Sequence, residues 1–281
     1  AASDVYKRQG FVETIIIDAG VELFRSGARE YPGGAEAWIA RLVKLYDTVR
    51  KMVPHASVFA TCPDYPDDYA HRSLWISENE TNIERTIYNV LKCVDWYSDV
   101  GWLIPVQGWN HRPSTLLWSL EYLEQLGVLK RYRYLGVANL CVEVNTRIIR
   151  GGVLYVSTWL REHGYSHDLH VFGVKLSALP VIREVVRSVD SVAWTRPVSK
   201  RLHSVFPWSW KTWEEQVLFF AEYLLHLAHH IVVPETTLRT LHQILTSNRF
   251  QHSLLRRYPR RAREIQKLVT EIASDLEKLL Q

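Results

Sequence analysis

Cysteine is scarce in this chain: there are three in 281 residues, Cys62, Cys93 and Cys141, widely separated and never as Cys-x-x-Cys. That spacing argues against a structural zinc built on paired cysteines and against a disulfide framework, and it fits a reducing compartment, the cytoplasm. Long apolar runs are missing as well. No stretch approaches the roughly 18 residues that read as a membrane-spanning helix, so no membrane partner is expected. Residues 1–9 are polar and charged and carry no legible secretory leader. Charge of one sign is only slightly in excess, +4 with histidine neutral, a weak pointer to an anionic partner. No glycine-rich phosphate loop follows the first strand-like run. Aromatic residues, by contrast, are plentiful. Eleven Trp and fourteen Tyr are enough to supply core, groove walls and stacking surfaces for bases.

The first nine residues, Ala1-Ala2-Ser3-Asp4-Val5-Tyr6-Lys7-Arg8-Gln9, resemble the translation of a transposon adapter used in sequencing-library preparation. They are expected to be a scar without a fold, with the native N-terminus cut away. Beyond them, short β-branched or apolar runs at 14–19, 57–62, 102–107, 134–138, 169–175 and 191–195 alternate with helical patterns at 34–52, 79–97, 114–126, 142–164 and 179–187. Strands buried on both faces read this way. Their alternation with helices predicts βαβ units and a parallel sheet. The expected fold is a (β/α)8 TIM barrel over residues 10–205, short of a strand through the N-terminal truncation. A helical C-terminal region over 206–281 follows, with helices at 213–229, 235–247 and 259–280. A doubly wound open sheet is the alternative.

Several runs end in a group that can do chemistry: Ile17-Asp18, Cys62-Pro63-Asp64, Val106-Gln107-Gly108, Leu135-Gly136-Val137 and Phe172-Gly173-Val174-Lys175. A barrel gathers its strand ends on one face, where active sites are built. Asp18 and Asp190 make a carboxylate pair suited to a nucleophile and an acid/base partner. An aspartate at a strand end is often only a helix cap, but the helical pattern after Asp18 starts late, near Gly34. Periodicity puts Asp190 near the beginning of the 191–195 run, so pattern alone does not bring it to the strand ends.

Six ordered motifs over residues 15–197 resemble the tRNA-guanine transglycosylases, most closely the branch that inserts 7-deazaguanines into DNA. Ile17-Asp18-Ala19-Gly20 is similar to the family's turn with the acid/base aspartate. Ala60-Thr61-Cys62-Pro63-Asp64 is similar to the strand end whose aspartate reads guanine, and Pro105-Val106-Gln107-Gly108-Trp109 to the Val-Gln-Gly segment. Leu135-Gly136-Val137-Ala138-Asn139-Leu140-Cys141 resembles the glycine-rich strand end that offers a backbone N–H. His170-Val171-Phe172-Gly173-Val174-Lys175 and Val189-Asp190-Ser191-Val192-Ala193-Trp194 complete the set.

The resemblance implies that Asp190 attacks C1′ of a guanosine, with Asp18 moving the protons. Carboxylates suit an anomeric carbon whose transition state has oxocarbenium character. Asp64 would accept from the guanine edge, with Gln107, Gly108 and the Gly136 N–H beside it and Gly173 and Lys175 completing the substrate site. Asp67 and Asp68 are competitors for that role, or a solvated turn after Pro66. The reacting nucleotide would be flipped or unpaired. Arg196, Lys200 and Arg201, and the cluster Arg256, Arg257, Arg260 and Arg261 (with Arg263), are the candidate phosphate contacts. DNA is favoured over tRNA, and a homo-oligomer is allowed for.

The chain also departs from the family. Ala19 stands where a serine is usual, and Glu22 where an aromatic wall is expected, leaving Leu23 or Phe24 to supply it. The family's zinc cysteines are absent, so no metal or other cofactor is expected; His203 and His229-His230 read as surface or packed side chains. Two alternatives stay open: a non-catalytic nucleic-acid-binding barrel, and a glycoside hydrolase using the same carboxylates.

Overall fold

The computed structural model describes residues 13–67, 81–109, 112–141, 143, 145–190, 195–208 and 210–281, apart from the side chain of Arg25. Residues 1–9, Asp68 and the greater part of the expected 191–195 strand lie outside the described residues. The chain divides at Asp190 into two compact units.

The first unit is built on six parallel strands: β1 (Thr14–Ile17), β2 (Ser57–Thr61), β3 (Trp102–Val106), β4 (Tyr134–Val137), β5 (Asp168–Val171) and β6 (Ser188–Val189). They lie side by side in chain order and curl into a half-barrel flanked by helices, consistent with a partial (β/α) barrel. β3 and β4 are buried along their whole length, whereas β1 and β6, at the two edges, are only partly covered. The central strands therefore have no polar side, which is why Trp-Leu-Ile-Pro-Val and Tyr-Leu-Gly-Val read as unbroken apolar runs. Helices Gly34–Met52, Asn82–Trp96, Leu116–Gln125 and Thr146–Glu162 fill the connections. Thr81 and Glu84 close a reciprocal capping box at the start of Asn82–Trp96, and Asn145 caps Thr146–Glu162 by accepting the Arg147 N–H.

Two elements differ from the sequence pattern. The helix expected over 179–187 stops at Ile182, because the chain must return to the sheet: the Arg187 N–H donates to the Leu169 carbonyl at 2.8 Å. The sixth strand consequently forms at Ser188–Val189, paired with His170 and Val171, before the position expected from periodicity. This register puts Asp190 at the C-terminal end of a strand.

The second unit is helical: Lys200–Val205, Trp213–Leu227, Glu235–Thr246, Asn248–Arg257 and Ala262–Leu280. The expected boundary at 205/206 falls inside it, directly after its first helix. Its core is apolar, with Leu218, Phe219, Leu245, Leu254, Ile265, Ile272 and Leu276 fully buried. It also buries charge: the Arg201 guanidinium bonds both oxygens of Glu222, at 3.0 and 2.7 Å, and Asp275 at 2.8 Å. Among the described residues no helix is long and apolar enough to cross a membrane.

Candidate active site

β1, β2, β3 and β6 each deliver a polar side chain just past their C-terminal ends: Asp18, Asp64, Gln107 and Asp190. At β5 the first residues beyond the strand form a glycine turn that reaches Asp190.

At β1 the Asp18 carboxylate folds back on its own turn and accepts the Gly20 N–H at 3.1 Å. Gly20 has φ of 84°, a left-handed conformation that favours glycine. Trp38 anchors the same turn by donating its indole N–H to the Ala19 carbonyl at 2.8 Å. Asp18 is open to solvent on one side while protein crowds the others. Its pKa is raised, first by that burial and then by the negative charge of Asp190, against the opposing Gly20 bond. The two acids at the opposite edges of the half-barrel therefore sense each other.

At β2 and β3, Asp64 and Gln107 form a buried pair, 5% and 0% exposed. Gln107 Nε2 donates to Asp64 Oδ2 at 2.9 Å. The Gly108 N–H donates to Gln107 Oε1 at 3.1 Å, which fixes the orientation of the amide and leaves its NH2 for the aspartate. The loop is held elsewhere too: the Tyr31 hydroxyl donates to the Asp64 carbonyl at 2.7 Å, Asn89 to the Pro63 carbonyl and Asn82 to the Pro66 carbonyl, both at 3.0 Å. Burial, and then the Asp64 charge, push the Tyr31 phenol well above its ordinary pKa, so it remains a donor. Asp67 is also buried, and the solvated turn considered for it is not what forms. Burial and the neighbouring Cys93 thiol likewise raise the Cys62 pKa, which keeps this thiol out of nucleophilic chemistry.

At β5 and β6, Asp190 is tied to the turn after Val171. Its Oδ1 accepts the Gly173 N–H at 2.5 Å, its carbonyl accepts the Val174 N–H at 3.0 Å, and its own N–H donates to the Val171 carbonyl at 3.4 Å. Gly173 has φ of 65°, and a Cβ there would fall 2.4 Å from that of Cys141; no other residue fits. Gly173, expected to serve substrate, thus serves Asp190. Lys175, two residues on, is partly buried. Gly136 lies inside β4, paired with Pro105 and His170. A Cβ at 136 would sit 2.3 Å from the Phe172 ring and 2.5 Å from Leu103, so close packing accounts for this glycine. Past β4, Asn139 takes φ of 61°, the one non-glycine left-handed residue among those described.

Of the candidate phosphate contacts, Arg196, Lys200, Arg256 and Arg260 are exposed. Arg201 is committed to Glu222 and Asp275. Arg257 lies 3.7 Å from Glu214, and Arg261 pairs with Glu264 and donates to the Val205 and Ser204 carbonyls. Phe24 is fully buried between Tyr31 and Tyr65, which makes it core and removes it as the missing aromatic wall; Glu22 is exposed. Tyr31 and Trp38, whose rings stack at 5.6 Å, escaped sequence reasoning because both lie in the long segment after β1, outside every motif. The polar chain behind Asp190, from His170 through Ser188 to Tyr134, escaped it because its members sit on three different strands. Among the described residues no group of three or more metal-ligating side chains is placed to hold an ion. Neither family models nor curated protein sequences give a match to this chain.

Proposed function

We propose that this protein is a transglycosylase that exchanges guanine for a 7-deazaguanine base in nucleic acid. The parent architecture on this reading is the full (β/α)8 barrel and the working compartment the cytoplasm. The observation that carries the proposal is the pairing of two strand-end aspartates in unlike environments. The Asp190 carboxylate is oriented by the Gly173 N–H on Oδ1, with Oδ2 left over, and Asp18 has a raised pKa and interacts with it. Acid and base roles are divided between carboxylates in this way when their surroundings differ.

In the first step an Asp190 carboxylate oxygen attacks C1′ of a flipped guanosine. The C1′–N9 bond breaks, and guanine leaves with the proton that Asp18 supplies. The incoming 7-deazaguanine then gives its ring N–H proton to Asp18 as its nitrogen bonds to C1′, and the aspartyl ester oxygen is released. Asp64, held by Gln107, is the acceptor for the donor edge of the purine. Buried polar groups of this kind reject bases that leave them unpaired, and a site for sugar hydroxyls alone has no need of them. The exposed cations Arg196, Lys200, Arg256 and Arg260 are the proposed phosphate contacts, and DNA is the favoured substrate over tRNA.

Radiolabelled guanine or preQ0, offered with tRNA and duplex DNA in parallel, tests the proposal. Label is expected in one nucleic acid with the wild type and in neither with Asp190→Ala. No incorporation by the wild type overturns the reaction, and incorporation that survives Asp190→Ala overturns the nucleophile.

A further inference from the structure

Behind Asp190 runs a largely buried polar chain, with Ser188 partly exposed, that the reaction above does not use. His170 Nε2 lies 3.4 Å from Asp190 Oδ1. Its other nitrogen, Nδ1, is 2.7 Å from Ser188 Oγ, and Ser188 Oγ is 2.5 Å from the Tyr134 hydroxyl. The His170 side chain is 3% exposed, whereas Asp190 keeps 49% of its side chain open. The imidazole is boxed by aromatic edges, with the Phe172 ring centroid at 4.6 Å and Tyr134 at 6.5 Å, both roughly perpendicular to it. Phe172 takes that position because Gly136, paired with His170 across the sheet, has no side chain to block it.

The order of donors follows from chemistry. An ionised carboxylate only accepts, so the nitrogen facing Asp190 carries the hydrogen. In the Nε2–H tautomer of the neutral ring Nδ1 is an acceptor, so the Ser188 hydroxyl donates to it and in turn accepts from Tyr134. Burial raises the Tyr134 pKa, which keeps the phenol a donor at the head of the chain.

We propose that hydrogen bonds from Tyr134 through Ser188 orient His170, and that the His170 ring, in electrostatic contact with Asp190 Oδ1 at 3.4 Å, joins the Gly173 N–H in holding that oxygen against the protein and leaves Oδ2 as the reacting oxygen. His170 is therefore a positioning residue for the nucleophile, an assignment that rests on the transglycosylase reading. The short Gly173 bond sets the distance of the carboxylate. The longer His170 contact sets its rotation, since Gly173 alone leaves the group free to turn about that single bond. A misplaced nucleophile costs rate rather than binding, on the order of 100-fold per ångström.

The test uses the whole chain with the labelled base and whichever nucleic acid the wild type accepts. His170→Phe keeps the ring but removes both nitrogens; kcat is expected to fall about 10- to 100-fold, with KM for the base within about twofold. His170→Gln, whose amide N–H reaches towards the position of Nε2, is expected to recover about tenfold of that loss. Ser188→Ala is the milder variant, expected to lower kcat about three- to tenfold without removing the buried ring. Nitrogen-15 spectra of the histidine ring supply a readout apart from turnover: the Nε2–H tautomer in the wild type, with that preference lost in Ser188→Ala. Unchanged kcat in His170→Phe, a change confined to KM, or an Nδ1–H tautomer in an active wild type overturns the inference alone. A wild type that transfers no base overturns the reaction, and the positioning role of His170 with it, whatever the tautomer.

Discussion

Replacing Gln107 by glutamate tests the pair proposed to read the base. Gln107 Nε2 donates to Asp64 Oδ2 at 2.9 Å, and both side chains are buried. Gln107→Glu preserves the shape but exchanges the donor amide NH2 for a second acceptor. Two carboxyls then face each other out of water, and only one of them ionises near neutrality. Burial and a like charge hold the shared proton about two to three pH units above the ordinary carboxyl range. At about 1.4 kcal/mol per pH unit, the substitution costs about 3–4 kcal/mol at neutral pH. The introduced group binds its proton more tightly in the folded state, so its contribution is fully present below the unfolded carboxyl value of about 4.3. It is lost as pH rises towards the raised folded value and changes no further above that. Urea unfolding at intervals from about pH 4 to 8 measures this. Wild type and variant are expected to lie closest at the acid end and to separate with a slope of about 1.4 kcal/mol per pH unit. A deficit equal at every pH refutes the reasoning, because residue 107 then does not face the Asp64 carboxylate.

Asp18→Asn is expected to stabilise the fold at neutral pH relative to wild type, with the difference closing on acidification. The folded-state pKa of Asp18 is raised, chiefly by burial, so its cost appears only as pH rises from the unfolded towards the folded value; melting temperatures at acid and neutral pH check the sign. Arg201→Met leaves Glu222, 2% exposed, as a buried charge with only the His226 ring beside it among the described residues, at 3.8 Å, and a loss of about 3 kcal/mol is expected in denaturant melts. Arg201→Met with Glu222→Leu should recover most of it, and nucleic-acid affinity should be unchanged if Arg201 serves only this pair. Gly173→Ala forces a side chain into a left-handed backbone and against Cys141; a loss of about 2–4 kcal/mol is expected from strain and overpacking together, with base exchange falling further than stability alone explains, measured by melts and label incorporation.

Much of the half-barrel was legible because its signals are local. The five runs from β1 to β5 are short, apolar and separated by amphipathic stretches, and the period of burial is written in each segment separately. Asp18, Asp64 and Gln107 sit just past such runs, so their placement needed only the direction of a parallel strand. β6 was not legible. Val192-Ala193-Trp194 is the more apolar stretch, and what makes Ser188–Val189 a strand is pairing with His170 and Val171, a contact made 18 residues away in sequence. The roles of the glycines were equally hidden: Gly136 and Gly173 answer to Phe172 and Cys141, which lie on other elements. The basic cluster shows the same limit, since the acids that occupy Arg201, Glu222 and Asp275, are contributed by two later helices.

The sequence alone thus determined the strand–helix alternation, the acids at β1 and β2 and the amide at β3, because propensity, periodicity and the polarity of a parallel strand are properties of neighbouring residues. Only the tertiary structure decided that Asp190 ends a strand, that the Gly173 N–H binds its carboxylate with His170 at 3.4 Å, and that Asp64 and Gln107 form one buried pair. Each of those facts is a contact between segments 17 to 43 residues apart. No local pattern encodes such contacts, because register, close approach and shared burial exist only once the strands have paired.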